Sequence, residues 1–311
     1  MSYEKEAVQP RDPFAARACA SLLAGALGDA WGGPYEGRPG PIDARFPKHP
    51  RLSDDTLLTL ATCEAIIRSD GRVVPQAIAQ SFREWFEHRR LTGLGSSTLK
   101  ALRDLAAGAH WALAGARGEY AAGSGAAMRV APLAFVLDPE LDDSRTLIRD
   151  VARITHHSDE AYAGALGVVM AVRLCAMRTR VPEDLLSLVA EKLPDTRVRD
   201  RLIELRARGG DPKAAAVEFG NSGYVVDAVP LALLVAAAGH GEPLESVLQA
   251  AVSLGGDTDT IASIAGQVVG AAGCNLPAAL LAAVPEMAEM RPLLERFVAL
   301  LPMHDPSLGA G

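Results

Sequence analysis

The sequence predicts a compact, all-α, single-domain protein, and three observations carry that reading. Apolar residues recur at three- and four-residue spacing through most of the chain, which is the period of an amphipathic helix. Ala and Leu dominate, while β-branched and aromatic runs with period-two alternation are scarce. No stretch has the length or composition of an interdomain linker, and no fixed-period repeat is present. With 311 residues, 49% of them hydrophobic, the chain can bury a large core as one unit. Residues 1–12 are read as an irregular or disordered N-terminus and residues 13–305 as the domain.

The elements follow in order. Residues 14–31 form a first helix, stopped by the turn-rich stretch GGPYEGRPGP. Residues 54–68 form a second, with Ser53 as its N-cap. Helices over 75–89 and 98–114 come next. Residues 158–177 read as a buried helix entered from His156-His157. The pattern continues over 182–193, 211–219, 224–238 and 243–254. Residues 258–272 are rich in Ala, Gly and Ser, which lets neighbouring backbones approach closely. Helices over 277–284 and 287–301 end the chain, separated by Pro285. The longest loops, residues 32–52 and 115–126, are glycine-rich, and long loops on a rigid frame are where sites usually sit.

A formal net charge of -7 argues against nucleic acid as a main partner, because binding phosphate backbones needs a basic surface. Cys19, Cys63, Cys175 and Cys274 are far apart, so they form neither a disulfide framework nor a zinc signature. The N-terminus lacks an apolar signal core, and the longest uncharged apolar runs, 161–172 and 228–239, are too short to span a bilayer. The expectation is a cytoplasmic monomer with no membrane partner.

Two acidic clusters carry the chemistry. Ser53-Asp54-Asp55-Thr56 and Gly255-Gly256-Asp257-Thr258-Asp259-Thr260 each stand at a helix start. Helix capping accounts for one oxygen at each start, with Ser53 and Asp257 as the caps. It leaves a surplus of carboxylates and hydroxyls unexplained. Clustered carboxylates raise one another's pKa unless a cation neutralises them. The donors are all oxygen, which selects Mg²⁺ or Mn²⁺ over zinc or copper. The short D-x-D lacks the spacing of a calcium-binding EF-hand loop.

These clusters and four further segments, taken in order, resemble the ADP-ribosylglycohydrolase family. The segments are Gly28-Asp29-Ala30-Trp31-Gly32-Gly33-Pro34-Tyr35-Glu36, Gly93-Leu94-Gly95-Ser96-Ser97-Thr98, Gly123-Ser124-Gly125-Ala126-Ala127-Met128-Arg129 and Ile154-Thr155-His156. The resemblance implies an orthogonal helical bundle with a dinuclear metal cleft that binds ADP-ribose or an ADP-ribosylated protein. It implies two Mg²⁺ (or Mn²⁺) on Ser53, Asp54, Asp55, Asp257, Asp259 and Thr260. Glu36, Asp55 and Asp259 are then the expected catalytic groups. Gly93, Gly95, Ser96, Gly123, Ser124, Gly125, Met128 and His156 are expected to line the substrate. The chain departs from the family pattern at Ser53, where Thr is usual, and at Ser124, where Asn is usual.

Other residues have plainer uses. Arg129 is read as balancing a pyrophosphate or pairing with Asp138, and Trp31 and Tyr224 as core residues with a secondary chance of stacking. The basic run around Arg197, Arg199, Arg201, Arg206 and Arg208 is read as a solvated helix face. The expected activity is metal-dependent hydrolysis of the anomeric bond joining ADP-ribose to an acceptor. The alternatives are a hydrolase of a small ADP-ribosyl or N-riboside compound, a dinuclear phosphohydrolase, and a silent ADP-ribose-binding relative.

Overall fold

The computed structural model describes residues 13–118 and 121–301. The expectation for residues 1–12, and the domain's last residues 302–305, lie outside the described residues. Fourteen α-helices are present among them: α1 (Pro13–Gly32), α2 (Asp54–Arg68), α3 (Pro75–Glu87), α4 (Ser96–Ala106), α5 (Asp142–Arg153), α6 (Asp159–Arg178), α7 (Leu185–Ala190), α8 (Arg197–Ala207), α9 (Pro212–Phe219), α10 (Val225–Ala238), α11 (Leu244–Ser253), α12 (Thr258–Ala271), α13 (Ala278–Ala283) and α14 (Glu286–Val298). The described strands, β1 (Ala116–Arg117) and β2 (His156–His157), form one two-residue parallel ladder.

The centre of the bundle is α12, which is buried along its whole length and packs on α1, α6, α10 and α11. Its small residues permit this. A Cβ at Gly28 would overlap the Ala262 carbonyl, and one at Gly266 would overlap that of Ala24. The α1–α12 crossing is therefore set by backbone touching backbone. It also brings the C-terminal end of α1 beside the start of α12, where Thr258 Oγ1 donates to the Gly32 carbonyl at 2.9 Å. α6 is apolar and long enough to pass a membrane-span test, yet 72% of its most apolar window is buried inside the protein. It is a core helix.

The periodicity located most helices within a residue or two, and the departures have local causes. The helix expected over 98–114 starts at Ser96, with Gly95 as N-cap, and ends at Ala106. Gly108, at φ +89°, turns the chain out of it. The helix expected over 182–193 shrinks to α7, and the one expected over 75–89 stops at Glu87, before a left-handed Arg89. The helix α5 was not expected. It buries only Ser144, Ile148, Val151 and Ala152 on a narrow stripe, which a charged sequence disguises. The basic run lies on and just beyond α8: Arg199 pairs with Asp195 at 3.1 Å and Arg208 with Glu218 at 2.8 Å, while Arg201 packs over Phe219.

Candidate active site

The first acidic cluster is built at the start of α2. Ser53 is extended, and its Oγ accepts the Asp55 N–H at 3.3 Å, as an N-cap does. Behind it stands Asp29 of α1, fully buried. Its carboxylate accepts the Ser53 N–H at 3.0 Å, the Thr56 N–H at 3.2 Å and the Thr56 hydroxyl at 2.5 Å. Asp29 thus caps α2 from another helix. No role was expected for Asp29 from its place in the Gly28–Glu36 segment. The only signal was an acid inside an otherwise apolar helix.

The second cluster, at α12, is built differently. Gly255 and Gly256 are both left-handed, at φ +76° and +75°. A Cβ on Gly256 would overlap the Asn221 carbonyl. The bend is tied down by Gly37 N–H to the Gly256 carbonyl and Gly256 N–H to the Arg38 carbonyl, each at 2.8 Å. Asp257 occupies the N-cap position but makes no side-chain capping bond, contrary to the capping expectation. Its carboxylate instead accepts the Ser124 hydroxyl at 3.0 Å.

The two helix starts face one another across a cleft of about 200 Å³. Glu36, Asp54, Asp55, Asp257, Asp259 and Thr260 line part of it. Gly93, Gly95, Ser96, Gly123, Ser124, Gly125, Met128 and His156 line the rest. Of the expected metal ligands, catalytic groups and substrate-lining residues, Ser53 alone is not on the wall; its hydroxyl reaches Asp55 Oδ2 at 3.3 Å. Ser97, the end of the Gly93–Ser97 loop expected to line the substrate, is also on the wall, as are Thr98 and Gly223, for which no role was expected. Gly223 arrives from the turn before α10, where its carbonyl accepts the Ser124 N–H at 2.9 Å.

The electrostatics are those of crowded, buried acids, with the buried Arg129 coupled to them through Asp54. Burial pushes the Asp54 carboxyl up to about 8, with Asp29 adding to the shift. Asp55 is raised well above its ordinary value by burial and then by Asp259, and Asp259 by burial and then by Asp257. Burial, with Asp257 second, also raises Glu36 at the exposed rim. Ligand oxygens of Glu36, Asp257 and Asp259 lie within 4.8 Å of one another. Asp55 Oδ1 is buried with no hydrogen-bond partner among the described residues, although buried carboxylate oxygens are almost always satisfied. An acidic cluster with an orphaned oxygen is suited to a hard cation. A larger cavity, about 610 Å³ between Arg180, His240 and Cys274, has no such convergence: its acids, Glu242 and Glu245, are exposed. Convergent buried carboxylates locate the chemistry better than size does.

Three residues take other places. Arg129 is fully buried, off the cleft wall and away from Asp138; it donates to the carbonyls of Gly125 and Val151 and to Thr155 Oγ1. Trp31 is core, its Nε1 donating to the Ala44 carbonyl at 3.1 Å. Tyr224 is half-buried behind the Gly123 loop, pairing with it through the backbone.

Comparisons with known proteins cover nearly the whole chain. A family model described as ADP-ribosylglycohydrolase matches residues 10–307. An Archaeoglobus fulgidus protein, named only as uncharacterized, is 32% identical over 231 residues, 72% of each chain. The ADP-ribosylhydrolase ARH3 of Danio rerio is 27% identical over 304 residues, covering 81% of this chain and 81% of its own. A solved structure described as an ADP-ribosylglycohydrolase-related protein complex superposes with a TM-score of 0.72 at 27% identity, covering 93% of this chain and 99% of that one.

Proposed function

The chain belongs to the ADP-ribosylglycohydrolase family, and from that premise we propose that it releases ADP-ribose from an acceptor, an ADP-ribosylated protein, by hydrolysing the bond at the anomeric carbon of the distal ribose. The observation that carries this reading is the meeting of two acidic helix starts and Glu36 opposite glycine-rich loops. The acidic floor takes the ribose. Gly93, Gly95, Gly123 and Gly125 leave room for a bulky anion, and nearby backbone N–H groups can donate to its phosphates. At about 200 Å³ the cleft is smaller than a typical small-molecule pocket, so it encloses the ribose end and leaves the remainder along its open mouth.

Ser53, Asp54, Asp55, Asp257, Asp259 and Thr260 would hold a pair of Mg²⁺ or Mn²⁺ ions. The fit rests on an all-oxygen donor set, carboxylates raised by burial, and the unpartnered Asp55 Oδ1. Such a pair supplies positive charge for the sugar hydroxyls and for water. Asp55 and Asp259 orient the attacking water, whose oxygen bonds to the anomeric carbon as the acceptor leaves. The transition state is oxocarbenium-like, and the facing carboxylates stabilise its electron-poor carbon. Glu36, at the rim, exchanges the proton that the water loses and the acceptor gains. Four separate free cysteines fit a reducing compartment, and a cytoplasmic location is part of the same proposal.

Product analysis on arginine-linked and serine-linked ADP-ribosyl proteins tests this directly. ADP-ribose released from either substrate, abolished by chelation and restored by Mg²⁺ or Mn²⁺, is the expected result. Release of phosphate or AMP instead would overturn it, as would full activity in chelator.

A further inference from the structure

Arg129 and Thr155 stand behind the cleft wall, yet their hydrogen bonds run into it. Arg129 Nη2 donates to Thr155 Oγ1 at 2.8 Å, and Thr155 Oγ1 lies 2.7 Å from His156 Nδ1. A guanidinium has donors only, so in the first contact the Thr155 oxygen accepts. The Thr155 hydroxyl proton then points to His156 Nδ1, its remaining neighbour. If Nδ1–H donated instead, a fully buried hydroxyl proton would have no acceptor among the described residues, which costs more than the bond returns. Nδ1 is therefore an acceptor. Burial, and after it the positive charge of Arg129, push the His156 pKa down to about 3, so the ring is neutral. A neutral imidazole that accepts at Nδ1 carries its proton at Nε2.

The Nε2 edge is the one turned to the substrate loops. A Cβ built on Gly123 would lie 3.2 Å from Nε2, and one on Gly125 only 2.9 Å from Cε1. Nε2 itself makes no hydrogen bond among the described residues. Arg129 also donates to the Gly125 carbonyl, so the same guanidinium holds both the loop and the ring that faces it.

We propose that Arg129 and Thr155 are positioning residues that lock His156 in the neutral Nε2–H tautomer, making it one fixed donor for a phosphate oxygen of the substrate. The identity of that oxygen rests on the reading that the cleft binds ADP-ribose; the tautomer does not. A long-range ¹H–¹⁵N correlation spectrum of the labelled full chain, at about pH 7 and without ligand, reads the tautomer. His156 is expected to show a protonated Nε2 and a bare Nδ1; a protonated Nδ1, alone or with Nε2, overturns the proposal. Thr155→Val removes the hydroxyl at constant shape. It is expected to populate the Nδ1–H form and to weaken ADP-ribose binding roughly tenfold, the size of one lost hydrogen bond. Thr155→Ser is expected to restore both. A folded Thr155→Val protein with a changed tautomer and unchanged ADP-ribose affinity overturns the positioning role. If Thr155→Val does not fold, the wild-type spectrum still decides the tautomer. A wild-type protein with the Nε2–H form and no ADP-ribose binding keeps the lock and removes the reading of the cleft.

Discussion

The starts of α2 and α12 hold the same kinds of side chain, but their support is of opposite kinds. At α2 the support is a side chain: Ser53 caps its own helix, and Asp29 reaches across from α1 to take three more donors. At α12 the support is mostly the backbone: two left-handed glycines turn the chain, the N-cap Asp257 makes no capping bond, and Asp259 Oδ1 accepts the Thr260 N–H at 2.9 Å. The difference shows two ways of freeing carboxylates at a helix start. One relieves Asp54 and Asp55 of capping duty by lending the helix another acid. The other relieves Asp257 by bending the backbone until its carboxylate faces Ser124 and the cleft.

Breaking one acid in each cluster has the largest expected effect. Asp54→Ala and Asp259→Ala should each reduce turnover to background and cut Mn²⁺ binding measured by calorimetry, because the two starts serve one centre. Full Mn²⁺ occupancy in either variant would separate the clusters. Glu36 offers the next contrast, since it sits on a 3-10 turn and owes nothing to either helix. Glu36→Gln should lower turnover roughly 10²–10⁴-fold while leaving metal and ADP-ribose affinities nearly unchanged. A change in metal affinity would make it a ligand; wild-type turnover would leave it as solvated surface.

Stability measurements sharpen the contrast between the two supports. Gly256→Ala forces a Cβ into the Asn221 carbonyl at positive φ, so urea unfolding should show a loss of about 3 kcal/mol or more. Asp29→Ala orphans the Ser53 and Thr56 donors and should cost about as much. Ser53→Ala should cost only about 1 kcal/mol, because Asp29 still holds the helix start. Equal losses for Ser53→Ala and Asp29→Ala would contradict the cross-helix cap.

The last contrast is a pH dependence. His156 is held at about 3 in the folded chain against an ordinary 6.5, so the unfolded chain binds the proton first as pH falls. This group's contribution is fully present above pH 6.5 and fades as pH falls toward 3. The difference in unfolding free energy between wild type and His156→Gln should therefore shrink by about 1.4 kcal/mol per pH unit below pH 6. A pH-independent difference would mean that folding does not shift the ring's pKa.

The sequence by itself determined the helices with wide apolar stripes, the two acidic clusters and the glycine loops, because each is written in local spacing. It even placed Ser53 correctly as the cap of α2. It missed α5, a helix with few apolar residues among many charged ones, and it could not tell that Asp257 does not cap. Asp29, Gly223, Thr155 and Arg129 escaped for a shared reason. Each depends on a partner distant in sequence: Asp29 lies 24 positions from Ser53, and Thr155 is set by Arg129, 26 positions away. Only the tertiary structure decided that the two acidic starts face each other, since that depends on α1 and α12 touching backbone to backbone. A local pattern states which groups an element offers. Packing alone states what each group meets, and with it each group's burial, partners and charge.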